Sequence, residues 1–245
     1  MKSYVVLNDI QMPFQDKQVL DLVLGFIRNL APDGVILNGD IVDCYTLSVF
    51  DKNPWHKAGL VEEIREAGWL MDMLRDIPER VWIDGNHEDR VRRMLWKRAP
   101  EFGQLAELEF PRLFHLEDYG FSYHPYGDGV RLGKLLVTHG TMVRSVSGAS
   151  ARAHFDRHGV STLIGHTHRL GAYYRTNLDG PHAAYENGCL CLLTPEYVKS
   201  PDWQQGFSVV HVDEKTGLFN VQQIPILNRR QFFYGGEQIQ IKGKR

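Results

Sequence analysis

Ile83-Asp84-Gly85-Asn86-His87-Glu88 follows the apolar pair Val81-Trp82 and places a glycine, a carboxamide and an imidazole side by side. On α/β scaffolds, ligands and reacting groups are held at the carboxyl ends of buried strands. The same residues also suit an ordinary strand-to-helix turn, with Asn86 as the helix N-cap. Other segments of the chain decide between these two interpretations.

Four more predicted strands end in polar residues of the same kinds. Each ending has an ordinary explanation when taken alone, such as a turn carboxylate or a core histidine with a hydrogen-bond partner. Together, in similar topological positions, they indicate one site. Their carboxylate, amide and imidazole groups suit Mn²⁺, Fe and Zn²⁺, and the set contains no cysteine ligand. The four endings are Asp9-Ile10-Gln11, Gly39-Asp40-Ile41-Val42-Asp43, Val137-Thr138-His139-Gly140 and Gly165-His166-Thr167-His168.

The first half of the chain has an α/β pattern. Short apolar strands are predicted at 4–7, 35–37 and 81–83, separated by amphipathic helices over 19–30 and 60–74. Asp16 is a suitable N-cap for the first of these helices. This alternation predicts parallel pairing of the three strands, because a helix connects each one to the next. The segment 87–108 is helical in pattern and highly charged, with a break at Pro100.

The second half of the chain is richer in strands. The pairs Asp179-Gly180 and Asn187-Gly188 are typical of turns between antiparallel strands. The segment 228–245 is basic and has no clear period, so we expect a surface strand followed by a frayed end. Further strands are predicted at 121–124, 130–138, 160–164, 170–176, 183–193, 207–213 and 218–226.

The composition is that of an ordinary globular protein. With 245 residues, 43% of them hydrophobic, the chain can form one large domain, and we expect a single domain over 1–245. The net charge of −2 gives no global reason to expect nucleic acid or an anionic membrane as a partner. Three cysteines without a Cys-x-x-Cys pair favour a reducing cytoplasm. We expect no membrane span, since no apolar run approaches ~18 residues.

The order of the five strand endings resembles the signature of the calcineurin-like metallophosphoesterases. The resemblance extends over residues 4–168 and is far more specific as a whole than any one motif. It implies an α/β (α+β) fold, a four-layer αββα sandwich of two mixed β-sheets flanked by helices. The matching residues are Asp9, Gly39-Asp40-x-x-Asp43, Gly85-Asn86-His87-Glu88, His139-Gly140 and Gly165-His166-x-His168.

The resemblance also implies a cofactor of two divalent metal ions, with Mn²⁺ as the first choice and Fe, Zn²⁺, Ni²⁺ or Mg²⁺ as alternatives. Asp40 would bridge the two ions, and a metal-activated hydroxide would attack a phosphomonoester or phosphodiester. One ion would be held by Asp9, Gln11, Asp40 and His168, and the other by Asp40, Asn86, His139 and His166.

Two residues near this set have other roles in the scheme, and one ligand departs from the family pattern. His87 would be the catalytic group that protonates the leaving oxygen or stabilises charge in the transition state. Asp43 would lie behind the ligands and either steady one of them or close the turn. Gln11 departs from the family, which usually has histidine at this position. It could ligate weakly or through water, or leave the first site partly occupied.

The substrate is less defined by the sequence. Arg90 and Arg93 could contact phosphate bidentately, and Arg144 could close over the substrate from the segment 141–150. The basic residues of 87–98 and 228–245 favour a nucleotide or nucleic acid. A protein phosphatase and a non-catalytic binding scaffold on the same fold are the alternatives, and the oligomeric state is not indicated.

Overall fold

The computed structural model describes residues 1–194 and 201–241. The α-helices are α1 (Lys17–Leu30), α2 (Leu60–Met73), α3 (Asp89–Arg98), α4 (Phe110–Leu113) and α5 (Ala149–His158). Short 3-10 helices lie at Tyr45–Leu47, Pro100–Phe102 and Ala106–Leu108. The strands are β1 (Lys2–Leu7), β2 (Gly34–Asn38), β3 (Glu79–Ile83), β4 (Ser122–His124), β5 (Gly129–Leu132), β6 (Leu135–Thr138), β7 (Ser161–Ile164), β8 (Leu170–Asn177), β9 (Gly180–Asn187), β10 (Gly206–Val212), β11 (Phe219–Pro225), β12 (Gln231–Tyr234) and β13 (Glu237–Gln240).

The strands form two mixed sheets and a separate hairpin. The first sheet has the order β11-β10-β1-β2-β3-β4, and the second has the order β5-β6-β7-β9-β8. Strands β1 to β4 are parallel to one another, as are β6, β7 and β9. Because parallel strands end at the same edge of a sheet, the loops after β1, β2 and β3 meet there, as do those after β6 and β7.

Alternation along the strands divides the core into layers. In β1, Val5 and Leu7 pack into the cluster formed with α1 and α2. Tyr4 and Val6 point the other way and pack against the second sheet. On the far side of that sheet, Phe155 of α5 packs on β8 and β9. The order helix, sheet, sheet, helix confirms the predicted four-layer αββα sandwich.

Several predicted elements are confirmed at their expected places. Asp16 caps α1, its carboxylate accepting from the backbone N–H of Val19 at 3.4 Å. The parallel pairing of the first strands is as expected, and Pro100 follows the end of α3. A turn at residues 178–179 joins the antiparallel strands β8 and β9, with Gly180 of the predicted turn pair as the first residue of β9. Among the described residues, no helix is long and apolar enough to cross a membrane.

The structure excludes one alternative and corrects several local expectations. Asn86, the N-cap in the alternative interpretation, does not cap α3, which begins after Glu88. The Asn187-Gly188 pair does not close a hairpin, because the chain crosses from β9 in one sheet to β10 in the other. The strand expected over 183–193 covers Gly180–Asn187 instead. Helix α5 was not predicted, and Ala149 at its start follows a glycine that provides no side-chain cap.

The C-terminal segment is more ordered than expected. Strands β12 and β13 form an antiparallel hairpin. Phe232 of β12 is fully buried against Phe26 and Phe207, so the hairpin packs on α1 and the first sheet. The frayed end predicted beyond residue 241 lies outside the described residues.

Candidate metal centre

The predicted ligands come together where the two sheets meet. Asp9 lies two residues after β1 and Asp40 two residues after β2, at one edge of the first sheet. His139 and His166 follow β6 and β7 of the second sheet. Because both groups of strands end on the same side of the sandwich, ligands from distant parts of the chain converge there.

The backbone at this edge is strained. Five of the seven predicted ligands have positive φ, in the left-handed region that disfavours residues with a side chain. Such conformations cost about 1–3 kcal/mol each and cluster at functional sites. These residues are Asp9 (φ 50°), Gln11 (53°), Asp40 (51°), His166 (68°) and His168 (58°).

Two glycines allow the loops to approach one another. A Cβ on Gly85 would lie 2.1 Å from Oδ1 of Asp40, closer than any real contact. A Cβ on Gly39 would lie 2.4 Å from Nδ1 of His139, and Gly39 also has a φ of +80°. Glycine is required at both positions because the ligands occupy the space that a side chain would take.

The ligand atoms form two groups that share Asp40. One group consists of Asp9, Asp40 and His168, and the other consists of Asp40, His139 and His166. In each group the potential ligand atoms lie within 4.8 Å of one another. Nε2 of His168 is 3.1 Å from Oδ1 of Asp9, and Nε2 of His139 is 3.4 Å from Oδ2 of Asp40. A shared carboxylate between two triads is the arrangement expected of a bridged pair of cations.

Several of these buried atoms have no hydrogen bond among residues 1–194 and 201–241. They include Oδ1 of Asp9, Oδ1 of Asn86 and Nε2 of His139. Buried polar atoms are normally hydrogen-bonded, so each unsatisfied atom calls for a partner. Oxygen and imidazole nitrogen are ligands for Mn²⁺, Fe and Zn²⁺, so this donor set fits divalent metals.

Charge coupling within the cluster is strong. Burial disfavours an ionised Asp40, but His87, His139 and His166 lower the pKa of its carboxyl well below the usual value. Burial alone would lower the pKa of His139, yet Asp40 raises it to about 10. Asp9 does the same for His168, raising its pKa to about 10 against the effect of burial. A cation in the cluster would replace these imidazole protons, since metals bind neutral imidazole.

The pKa of His166 moves in the opposite direction. Burial, followed by the nearby charge of His139, lowers it to about 4. His166 is therefore a neutral imidazole at neutral pH, ready to act as a ligand. Its backbone N–H donates to Oδ2 of Asp9 at 2.9 Å, which links the two ligand groups.

Glu88 fixes the geometry of two ligand loops. Its buried carboxylate accepts from the backbone N–H groups of Asp40 (2.9 Å), Ile41 (2.7 Å), Val42 (3.2 Å) and Gly85 (2.7 Å). One side chain thus ties the loop after β2 to the turn after β3. The motif pointed to Glu88, but its role as a brace was not predicted, because it depends on contacts 46 to 48 residues away in sequence.

His87 lies at the centre of a charged network. Nε2 is 3.6 Å from Oδ2 of Asp40, and Nδ1 is 3.3 Å from Oδ2 of Asp43. Burial opposes a charge on the ring, but Asp40 and Asp43 raise the pKa of His87 above its usual value. Asp43 therefore contacts His87, whereas we expected it to steady a metal ligand or close the turn.

The three predicted arginines have different environments. Arg90 donates to the carbonyl (2.6 Å) and carboxylate (2.8 Å) of Asp43, and its Nη2 lies 3.1 Å from Nε2 of His87. Arg93 is largely exposed and pairs with Asp89 at 3.0 Å. Arg144 is exposed and donates to the carbonyl of Val143. The structure therefore brings Arg90 to His87, and it leaves Arg93 and Arg144 at the surface.

Gln11 lies beside His168, as its place in the first group requires. Its Nε2 is 3.3 Å from Nε2 of that ring. Turning the amide over would present Oε1 there, and an amide oxygen is a metal ligand. Two features around His168 were missed from the sequence. Trp203 packs on the ring at 4.1 Å between centroids, and the thiol of Cys191 lies 3.7 Å from Nδ1.

Comparison with known proteins adds independent findings. The family model described as calcineurin-like phosphoesterase matches residues 2–170, which is more than half of the chain. The gene 54 protein of Mycobacterium phage D29 is 30% identical over 231 residues, covering 86% of this chain and 89% of that protein. The gene 54 protein of Mycobacterium phage L5 is 29% identical over 232 residues, with the same coverage.

Two solved structures that align with most of this chain have low sequence identity to it. A single mutant of Vps29 from Entamoeba histolytica has a TM-score of 0.48 at 12% identity, covering 98% of this chain and 99% of that chain. Yfce, a phosphoesterase from E. coli, has a TM-score of 0.40 at 14% identity, covering 86% of this chain and 88% of its own. On the match of the family model and the identity to the phage D29 protein, this chain belongs to the calcineurin-like phosphoesterase family.

Proposed function

We propose that this protein hydrolyses phosphoesters at a two-metal centre, with His87 as the catalytic side chain. The observation that carries the proposal is the pair of ligand triads that share Asp40. The unsatisfied buried atoms of Asp9, Asn86 and His139 support it, since cations would supply the missing partners.

Each proposed ion has its own set of ligands. The first ion would be held by Asp9, Gln11, Asp40 and His168, and the second ion by Asp40, Asn86, His139 and His166. When bound, two such ions lower the pKa of a water molecule towards neutrality and offset charge on the phosphate oxygens. Manganese is our first choice because the ligands are oxygen and imidazole nitrogen.

His87 then has the role of proton donor to the leaving oxygen. Asp40 and Asp43 raise the pKa of His87 above its usual value against the effect of burial, which favours the protonated ring that a general acid requires. Asp43 lies 3.3 Å from Nδ1 and orients the ring. Arg90 contacts Asp43 as well and places its Nη2 3.1 Å from Nε2 of the ring, which adds positive charge beside His87.

The test is hydrolysis of bis-p-nitrophenyl phosphate and p-nitrophenyl phosphate by His87→Ala with Mn²⁺ present. We expect kcat to fall about 10²- to 10⁴-fold, the usual contribution of general acid catalysis, while bound metal stays near the wild-type level. His158→Ala, a substitution of an exposed histidine on α5, is the matched control. Loss of metal in His87→Ala would make His87 a ligand and contradict its catalytic role.

A non-catalytic scaffold is the competing function, and the same assay separates the two. Folded, metal-loaded wild-type protein with no turnover of either ester would establish the scaffold. If turnover is observed, a panel of nucleotides, single-stranded nucleic acid and phosphopeptides defines the substrate class. The basic residues of 87–98 and 228–245 favour a nucleotide or nucleic acid as the substrate.

We also propose that residues 1–245 form a single domain in the cytoplasm. Strand β10 pairs with β1 at the centre of the first sheet, with Val210 opposite Tyr4, so the C-terminal part completes the sandwich. The three cysteines are free and buried, which supports a reducing compartment. Unfolding in a single cooperative transition is the expected result in denaturant.

A further inference from the structure

Two thiols lie behind the imidazole of His168. Cys189, Cys191 and His168 offer potential ligand atoms within 4.8 Å of one another, and all three side chains are buried. Sγ of Cys191 is 3.7 Å from Nδ1 of His168. A tetrahedral ion with bonds of about 2.3 Å to sulfur and about 2.0 Å to nitrogen would hold these atoms about 3.5 Å apart.

The backbone around the two thiols is held at several points. Cys189 forms a β-bridge with Gln205 and Cys191 forms one with Gln15, on either side of a bend at Leu190. The N–H groups of Leu190 and Cys191 both donate to the carbonyl of Asp9, at 3.1 Å and 3.0 Å. The segment that carries the thiols is therefore fastened to the loop that carries a proposed catalytic ligand.

We propose that Nδ1 of His168 and the sulfurs of Cys189 and Cys191 form a second kind of metal site, for a thiophilic divalent cation such as Zn²⁺ or Cd²⁺. On binding, both thiols release their protons, so two thiolates cancel the charge of the ion and the buried complex is neutral. The carbonyl of Gln204, 3.6 Å from Sγ of Cys189, is in place to be a fourth ligand.

Occupancy of this site would inhibit the catalytic centre. A neutral imidazole has one nitrogen free to bind metal, and the other nitrogen carries the proton. Nε2 of His168 faces Asp9 at 3.1 Å and is the nitrogen assigned to the first catalytic ion. A cation on Nδ1 leaves the proton on Nε2, so the two ions compete for one ring. This competition rests on the proposed function, whereas binding at the thiols does not.

Binding is tested by titrating metal-free protein with Cd²⁺ to saturation and recording the ultraviolet charge-transfer absorption of cadmium thiolate. We expect a saturable band in the wild type and in Cys44→Ala, which removes the other buried cysteine. The band should be lost in the double variant Cys189→Ser/Cys191→Ser. No band in the wild type, or an unchanged band in the double variant, overturns the proposal.

If the double variant does not fold, the thiol site can still be tested on the wild type alone. X-ray absorption of the protein saturated with Zn²⁺ should contain a sulfur shell at about 2.3 Å. Nitrogen and oxygen neighbours alone would overturn the thiol site.

The competition is tested with Cd²⁺ added to protein hydrolysing bis-p-nitrophenyl phosphate in Mn²⁺. Each rate is normalised to the same protein without Cd²⁺. We expect the double variant to need at least about tenfold more Cd²⁺ for half inhibition than the wild type or Cys44→Ala. Equal inhibition of all three proteins overturns the competition. A cadmium thiolate band in a protein that hydrolyses no ester would refute the proposed function and leave the thiol site standing.

Discussion

At the scale of single residues, the unusual side chain in this centre is Gln11. An amide oxygen is a weaker metal ligand than imidazole, and the amide of Gln11 lies next to His168 of the first ligand group. The other predicted ligands have carboxylate, amide or imidazole groups in the places that the motif order implied. If Gln11 is a ligand as proposed, a stronger donor at position 11 should raise the affinity of the first site.

We expect Gln11→His to raise the affinity of the first site for Mn²⁺ about 10- to 100-fold, because imidazole replaces a weak amide donor. Calorimetric titration of metal-free protein with Mn²⁺ measures the affinity of each site. The same titration of Asn86→Ala, which alters the second site only, shows which binding step belongs to the first site. Unchanged or weaker affinity in Gln11→His would mean that the side chain at position 11 does not reach the metal.

At the scale of elements, the residues of the candidate metal centre are positioned by strand ends and by the closely packed loops that follow them. The strand that precedes each motif could be predicted from the sequence. A short apolar run followed by glycine and polar residues is a local signal. It could not predict Glu88 as a brace or Cys191 behind His168, since those contacts arise only when distant loops meet. Helix α5 was missed because Ala151 and Phe155 are its main apolar anchors, which is too weak a pattern to recognise.

The turn at Gly85 gives a prediction at this scale. In Gly85→Ala the new Cβ would lie 2.1 Å from Oδ1 of Asp40, so either the turn or the bridging ligand must move. We expect loss of metal binding and a loss of stability of about 1–3 kcal/mol, the usual cost of overpacking. Metal analysis and denaturant unfolding measure the two effects.

Gly25→Ala is the matched control for that substitution. Gly25 lies inside α1, where an added Cβ meets nothing within 4 Å. It should stabilise the protein by about 0.5–1 kcal/mol, because alanine favours the helix, and it should leave metal binding unchanged. Similar metal loss in both variants would contradict the special role of Gly85.

At the scale of the whole molecule, distant segments are joined at Asp16. Its carboxylate caps α1 and also accepts from Gln205 at 3.0 Å and from Arg229. These partners lie 189 and 213 residues away in sequence. Asp16 thus connects the start of α1 to the segments before β10 and β12, and it helps to hold the C-terminal part on the sandwich.

This connection predicts a pH dependence of stability. Burial opposes ionisation, but Arg229 and Gln205 lower the pKa of Asp16 below its unfolded value of 3.8. A carboxyl with a lowered folded pKa stabilises the protein above the unfolded pKa, and the contribution is lost as pH falls through the folded one. Denaturant unfolding from about pH 6 to about pH 3 should give a smaller loss in Asp16→Asn than in the wild type. Equal losses would mean that the pKa of Asp16 is the same in the folded and the unfolded protein.

The central claim, that two bridged cations and His87 cleave a phosphoester, is tested most directly by following hydrolysis along a metal titration. Metal-free protein receives Mn²⁺ in steps, and bound ion and turnover of bis-p-nitrophenyl phosphate are measured in the same samples. We predict that two ions bind per chain and that turnover rises with the second. Full turnover with one ion bound, or two bound ions without turnover, would contradict the account.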